Sequence, residues 1–194
     1  MATPNTLLIL FSITIVSCMA IGHGRGHDHL REVCSATRYQ SLCIHSLSSF
    51  SNSASHNPSG WARAAVSVTL AETEQVQQYL VKLKTGRSGG QMRGRARIAL
   101  ADCVECFDDA VALLHSALGE MRRLEQRTFA WQMSNVETWL SAALTNQDTC
   151  IDGFQGNKVG PQVRMIKSKV LNTTYFTSNA LALANKLASS GGSG

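Results

Sequence analysis

The sequence predicts an all-α fold, an up-down-up-down four-helix bundle preceded by a small N-terminal helical hairpin. Long stretches place Ala, Leu and Val three and four residues apart, the period that keeps one side of a helix apolar. Aromatic residues make up 6% of the 194 positions and there are three prolines, a balance that favours helices over sheets. Gly, Pro and Asn punctuate the periodic stretches with short intervals between them, as antiparallel neighbours in a bundle require.

The chain opens with an apolar run from Leu7 to Val16, followed by Cys18, Met19 and Ala20. At about ten residues it falls short of the ~20 needed to span a bilayer. It reads as the core of a secretory signal, with cleavage after Ala20, so that 1–20 is a leader and the protein is secreted. Residues 21–29, rich in Gly and His, read as a flexible arm. About 174 residues then remain, enough for one domain with its own core. That domain is expected over 30–188, with the hairpin at 30–52 and the bundle at 57–188, and 189–194 as a disordered tail. Formal net charge is +5, none of it in the leader.

Within the bundle, Asn57 and Pro58 read as N-cap and first helical residue, and Gly86 as the end of a helix. Its apolar stripe is Trp61, Ala65, Val68, Val76, Tyr79 and Leu83. A second helix carries Ala96, Ala99, Leu100, Cys103, Phe107, Ala110, Val111, Leu114 and Leu118, with Gly119 as its stop. Ser134 with Glu137 reads as a capping box opening a third helix, whose core face holds Val136, Leu140, Ala143, Cys150 and Phe154. Gly153 or Gly156 ends it. Gly160 and Pro161 open the fourth, with Ile166, Val170, Thr173, Thr177, Ala180, Ala184 and Leu187 inward.

Five cysteines follow the leader, which in an oxidising compartment means two bridges and one free thiol in one of fifteen arrangements. Geometry narrows these. Cys34 and Cys43 are too far apart along a single helix to bond, so their pairing implies a chain folded back on itself. Cys103 and Cys150 have their midpoint beside Gln126, in a polar run that reads as the turn between two antiparallel helices. A bridge there would bring the two Cα atoms to about 5.5 Å and leave Cys106 as the free thiol.

Two cysteine-centred segments carry a resemblance. ALADCVECFDDAV (Ala99–Val111) and WLSAALTNQDTCIDGF (Trp139–Phe154), in that order and at that spacing, resemble the signature of the plant invertase/pectin methylesterase inhibitor family, and the likeness runs from about Cys34 to Leu187. It implies the same bundle, a protein inhibitor and not an enzyme, no cofactor, and an apoplastic setting. It also implies that Glu105, Asp109, Thr149 and Asp152 match contact sites with which such inhibitors cover the esterase's substrate cleft, as a 1:1 complex. The Pro-Lys-Phe tripeptide of the invertase branch is absent, which favours pectin methylesterase as partner over cell-wall or vacuolar invertase.

The residues themselves are compatible with that surface. At 100° per residue, Asp102, Glu105 and Asp109 fall within roughly 60° of one another, away from the apolar stripe. Ser141, Thr145, Asp148, Thr149 and Asp152 form a polar face on the next helix. By residue chemistry alone such a stripe is more often an ordinary solvated face, and it is the resemblance that reverses that weighting.

Other signals are weaker. Cys103 and Cys106 form C-x-x-C inside a helix, without the second pair a zinc site needs. His23, His27, Asp28 and His29 have metal-ligating chemistry but sit in the arm, and no metal site is expected. Arg87, Arg93, Arg95 and Arg97 make a cationic end that would touch acidic pectin weakly; nucleic acid and membrane are not expected partners. Asn172-Thr173-Thr174 is an N-glycosylation sequon in mid-helix. A helical small-ligand carrier is the alternative of another class, and needs a large apolar cavity.

Overall fold

The computed structural model describes residues 28–51, 54, 57–86, 92–156 and 160–191. Helix α1 covers 28–34, α2 Gln40–Leu47 with a 3-10 turn at Ser48–Phe50, α3 Pro58–Thr85, α4 Arg95–Met121, α5 Phe129–Asp152 and α6 Pro161–Ser189. No strand occurs among the described residues. The four long helices form a ring in which α3 and α5 each pack on both α4 and α6, and α2 lies against α3 and α6. The expected leader lies outside the described residues.

Local chemistry explains most helix ends. Asn57 Oδ1 accepts from the backbone N–H groups of Ser59 at 3.0 Å and Gly60 at 3.4 Å, with Pro58 as first helical residue. Pro161 starts α6 in the same way after Gly160. Gly94 precedes α4 with φ +56°, a backbone conformation that glycine adopts without a Cβ clash.

Two boundaries differ from the sequence expectation. Gly119 does not stop α4, which runs to Met121, because Met121 is buried in the core and holds the last turn in place. A Cβ at Gly119 would meet nothing within 4 Å. Gly119→Ala is therefore expected to raise stability by about 0.5–1 kcal/mol, through lower unfolded-state entropy and better helix propensity. Urea denaturation reads this directly, and an unchanged midpoint would contradict it. Likewise Ser134 caps nothing: α5 starts at Phe129, and the Ser134 carbonyl accepts from Thr138 Oγ1 at 2.8 Å. The start is set by burial of Phe129 and Met133 and by Gln132. Gln132 Oε1 accepts from the Glu125 N–H at 2.8 Å and Thr128 Oγ1 at 3.1 Å, while its Nε2 donates to the Arg123 carbonyl at 2.8 Å.

The ends of the domain also extend further than the sequence suggests. Residues 28 and 29 belong to α1 and not to an arm, and His29 lies 3.4 Å from Glu32 with its ring against Trp61. At the other terminus Ser189 is helical and Ser190 follows as cap, its hydroxyl donating to the Leu187 carbonyl at 2.7 Å. The remainder of the expected tail, 192–194, lies outside the described residues.

The core is two apolar clusters stacked along the bundle. One joins the hairpin (Leu30, Leu47) to Trp61, Leu114, Met133, Leu140 and Leu183; the other gathers Leu80, Leu100, Phe107, Phe154 and Ile166. Between them lies a buried polar layer. Gln147, with no solvent exposure, donates from Nε2 to Thr73 Oγ1 at 3.4 Å and accepts at Oε1 from Thr177 Oγ1 at 2.8 Å. Thr73 also donates to the Thr69 carbonyl at 2.7 Å, and the single Thr177 hydroxyl proton is shared between Gln147 and the Thr173 carbonyl, 3.0 Å away. Every polar atom removed from water there has a partner, which limits the cost of burying it. The layer ties α3, α5 and α6 at one height, so a slide of any of the three by a turn would leave an amide unpaired.

Candidate functional site

Among the described residues there are two disulfides, Cys34–Cys43 and Cys103–Cys150, and Cys106 is a thiol. The first closes the hairpin, which is also clamped to the bundle by Asn179. Its Oδ1 accepts from the Tyr39 N–H at 3.1 Å and its Nδ2 donates to the Tyr39 carbonyl at 2.9 Å. The second joins α4 to α5 with 4.4 Å between the Cα atoms, closer than the separation expected from sequence. At the opposite end of the same pair, Gln132 holds the α4–α5 turn, so these two helices are fixed to each other at both ends.

The candidate contact residues flank the second bridge. Glu105 stands two positions from Cys103, while Thr149 and Asp152 are one and two from Cys150; Asp109 lies further along α4. All four are exposed. The Thr149 hydroxyl donates to the Thr145 carbonyl at 2.8 Å, which fixes its rotamer and leaves its oxygen free to accept. Asp152 Oδ1 accepts from Gln155 Nε2 at 2.6 Å. Gln155 lies just past the helix end, and only its three-residue offset from Asp152 could have flagged it in the sequence.

Charge on this face is concentrated. Burial pushes the Cys106 thiol up from its ordinary pKa, and Asp109, Asp102 and then Glu105 push it further in that direction, against an opposing hydrogen bond to its own backbone. The thiol is half-buried, and the shift favours its protonated form beside these acids. Burial also raises Asp148, with Asp152 one turn away adding like-charge repulsion. Asp108, by contrast, takes its hydrogen bond from Gln77 of α3 at 2.7 Å, and so belongs to a different side of α4.

Among the described residues no group of three His, Cys, Asp or Glu side chains is placed to hold a metal ion. No helix there is long and apolar enough to cross a membrane. Arg93, Arg95 and Arg97 are exposed around the start of α4, whereas Arg87 lies outside the described residues. An apolar groove beside the hairpin, walled by Val33, Pro58, Trp61, Leu183 and Leu187, encloses about 230 Å³. That is below the ~300–1,000 Å³ of typical small-ligand sites, and the larger openings beside Tyr175, about 430 and 480 Å³, are wide surface grooves rather than the enclosed apolar cavity a carrier needs.

Comparison with known proteins agrees with the geometry. The profile of the plant invertase/pectin methylesterase inhibitor family matches residues 28–183. Pectinesterase inhibitor 6 of Arabidopsis thaliana is 42% identical over 164 residues, 84% of this chain and 77% of that protein. Pectinesterase inhibitor 9 of the same plant is 36% identical over 198 residues, covering 97% and 96% of the two chains. The crystal structure of mutant form A of a pectin methylesterase inhibitor from Arabidopsis superposes with a TM-score of 0.62 over 79% of this chain and 93% of that one, at 21% identity, a likeness of fold. With its helical bundle, its bridged α4–α5 pair and these relatives, the chain belongs to the plant invertase/pectin methylesterase inhibitor family.

Proposed function

We propose that this chain is a secreted inhibitor that binds pectin methylesterase, lays the α4–α5 face across the enzyme's substrate cleft and so limits demethylesterification of pectin in the cell wall. As a member of a family whose relatives similar to it over most of their length include pectinesterase inhibitors 6 and 9, it is an inhibitor of that type and not an enzyme. The observation that carries the finer reading is the exposed set Glu105, Asp109, Thr149 and Asp152 around the Cys103–Cys150 bridge.

Such a face needs no reactive group. Covering a polysaccharide cleft with a rigid surface excludes substrate, and a surface already ordered by a bridge loses little freedom on binding. Carboxylates paired with basic groups at the rim of the cleft would speed approach and fix orientation.

Added separately to pectin methylesterase and to acid invertase, the purified protein is expected to slow the first and not the second. Slowing of invertase alone would reassign the partner within the family, and an effect on neither enzyme across several isoforms would overturn the inhibitory reading.

A further inference from the structure

We propose that Asn172 carries an N-linked glycan, and that the shallow grooves along α6, one of them shared with the start of α2, seat its first sugars on the side of the bundle away from the α4–α5 face. The inference rests on the secreted reading, because only a chain entering the secretory pathway meets the modifying enzyme.

Asn172-Thr173-Thr174 is the single Asn-x-Ser/Thr sequon in the 194 residues whose middle position is not proline. In the folded chain Asn172 is exposed, with no side-chain hydrogen bond among the described residues, so a substituent on its nitrogen breaks nothing. It lines two open grooves at once. One is bounded by Arg38, Tyr39, Gln40 and Tyr175, the other by Met165, Lys169 and Tyr175. Tyr39 and Tyr175 stack with ring centroids 4.0 Å apart, and Arg38 lies 5.8 Å from the Tyr39 ring. A fixed aromatic pair beside polar donors suits a sugar, whose C–H face packs on a ring while its hydroxyls find hydrogen-bond partners. Met165 and Leu171, 50% and 43% exposed, are among the largest apolar side chains left to solvent, and a glycan rooted at Asn172 would cover part of this patch.

The fold also dictates when the modification happens. Thr174, whose hydroxyl completes the sequon, is buried and donates to the Leu171 carbonyl at 2.8 Å. Recognition of the sequon therefore precedes docking of α6. In the transfer, the Asn172 amide nitrogen bonds to the anomeric carbon of a lipid-linked oligosaccharide; the lipid diphosphate leaves with the bonding pair and the amide gives up one proton. Asn172 shares one groove with Tyr39 and Gln40 of the hairpin, and Lys169 in the other reaches over the Tyr79 ring of α3, so the glycan leaves on the α2–α3 side of α6 and the proposed inhibitory face stays open.

The test is to express the full chain in secreting plant cells, in parallel with the full chain behind a foreign secretory leader, and to map the tryptic peptide Val170–Lys186 by mass spectrometry. Most copies recovered from the medium should carry an N-acetylhexosamine-based mass at Asn172. Asn172→Gln should abolish it without changing inhibition of pectin methylesterase. Enzymatic removal of the glycan should lower the melting temperature, and Tyr175→Ser should shrink that difference if the groove seats the sugar. Modification only behind the foreign leader would support the site while overturning the secreted reading. An unmodified Asn172 in both secreted preparations would overturn the proposal, and a Tyr175→Ser variant with an unchanged glycan-dependent melting difference would overturn the seating.

Discussion

Replacing Cys103 and Cys150 together by alanine is expected to lower unfolding stability by about 4 kcal/mol, the chain-entropy value for a bridge closing a loop of this length. The two residues are separated by 47 positions and both are buried, so the variant also loses two sulfur atoms from the apolar cluster around Phe107 and Phe154. The Cys34–Cys43 bridge, with a separation of nine, is worth roughly 2.7 kcal/mol by the same account. Its loss is further softened because Asn179 still clamps Tyr39. Urea denaturation of the two double variants should therefore rank the long loop above the short one. Equal losses would mean that native packing, and not the unfolded chain, decides the contribution of each bridge. In the Cys103→Ala/Cys150→Ala variant the face should also weaken as an inhibitor, because α4 and α5 would be held only by Gln132 at their far end and by packing.

Much of this architecture is legible in the sequence, and its failures have physical causes. The stripes on α4 and α6 were readable because burial follows helical period there: Leu100, Cys103, Phe107 and Leu114 are all buried, as are Ile166, Val170, Thr173 and Thr177. Helix ends marked by covalent stereochemistry, Pro58 and Pro161, were readable too. Gly119 and Ser134 misled because propensity and capping signals amount to about 1 kcal/mol or less. Burial of Met121 or Phe129, at about 1.5–3 kcal/mol for a large side chain, outweighs them. Gln147 lies in phase with Val136, Leu140 and Ala143, yet a lone polar residue on an apolar stripe does not announce its partners. Thr73 and Thr177 are supplied by other helices, 74 and 30 positions away. The candidate site was visible as a cluster of acids, but a solvated stripe has the same pattern. Only the bridge, which fixes Glu105 on α4 near Thr149 and Asp152 on α5, makes two stripes one surface.

Reversing single charges on that surface with Glu105→Lys, Asp109→Lys or Asp152→Lys is expected to weaken inhibition while hardly changing the fold. All three acids are exposed, and among the described residues Asp152 alone of them takes a side-chain hydrogen bond, from the amide of Gln155, which water can replace. Exposed charges of this kind contribute about 0–1 kcal/mol to stability. At an interface the balance differs. A charge-assisted contact that is desolvated on binding costs roughly 2–5 kcal/mol when broken, and appears as faster dissociation; one at the rim slows association and fades as salt is raised. Thr149→Trp acts by another route. Its Oγ1 now bonds along the helix to Thr145, so the change removes little from the fold, but an indole standing beside the Cys103–Cys150 bridge would hold the two surfaces apart. Its effect should be large and nearly independent of salt, because shape and not charge is at fault. Melting curves and inhibition constants measured together at low and high salt separate these cases. If all four variants fold and inhibit like the parent protein, this face is ordinary solvated surface and the enzyme is held by another side of the bundle.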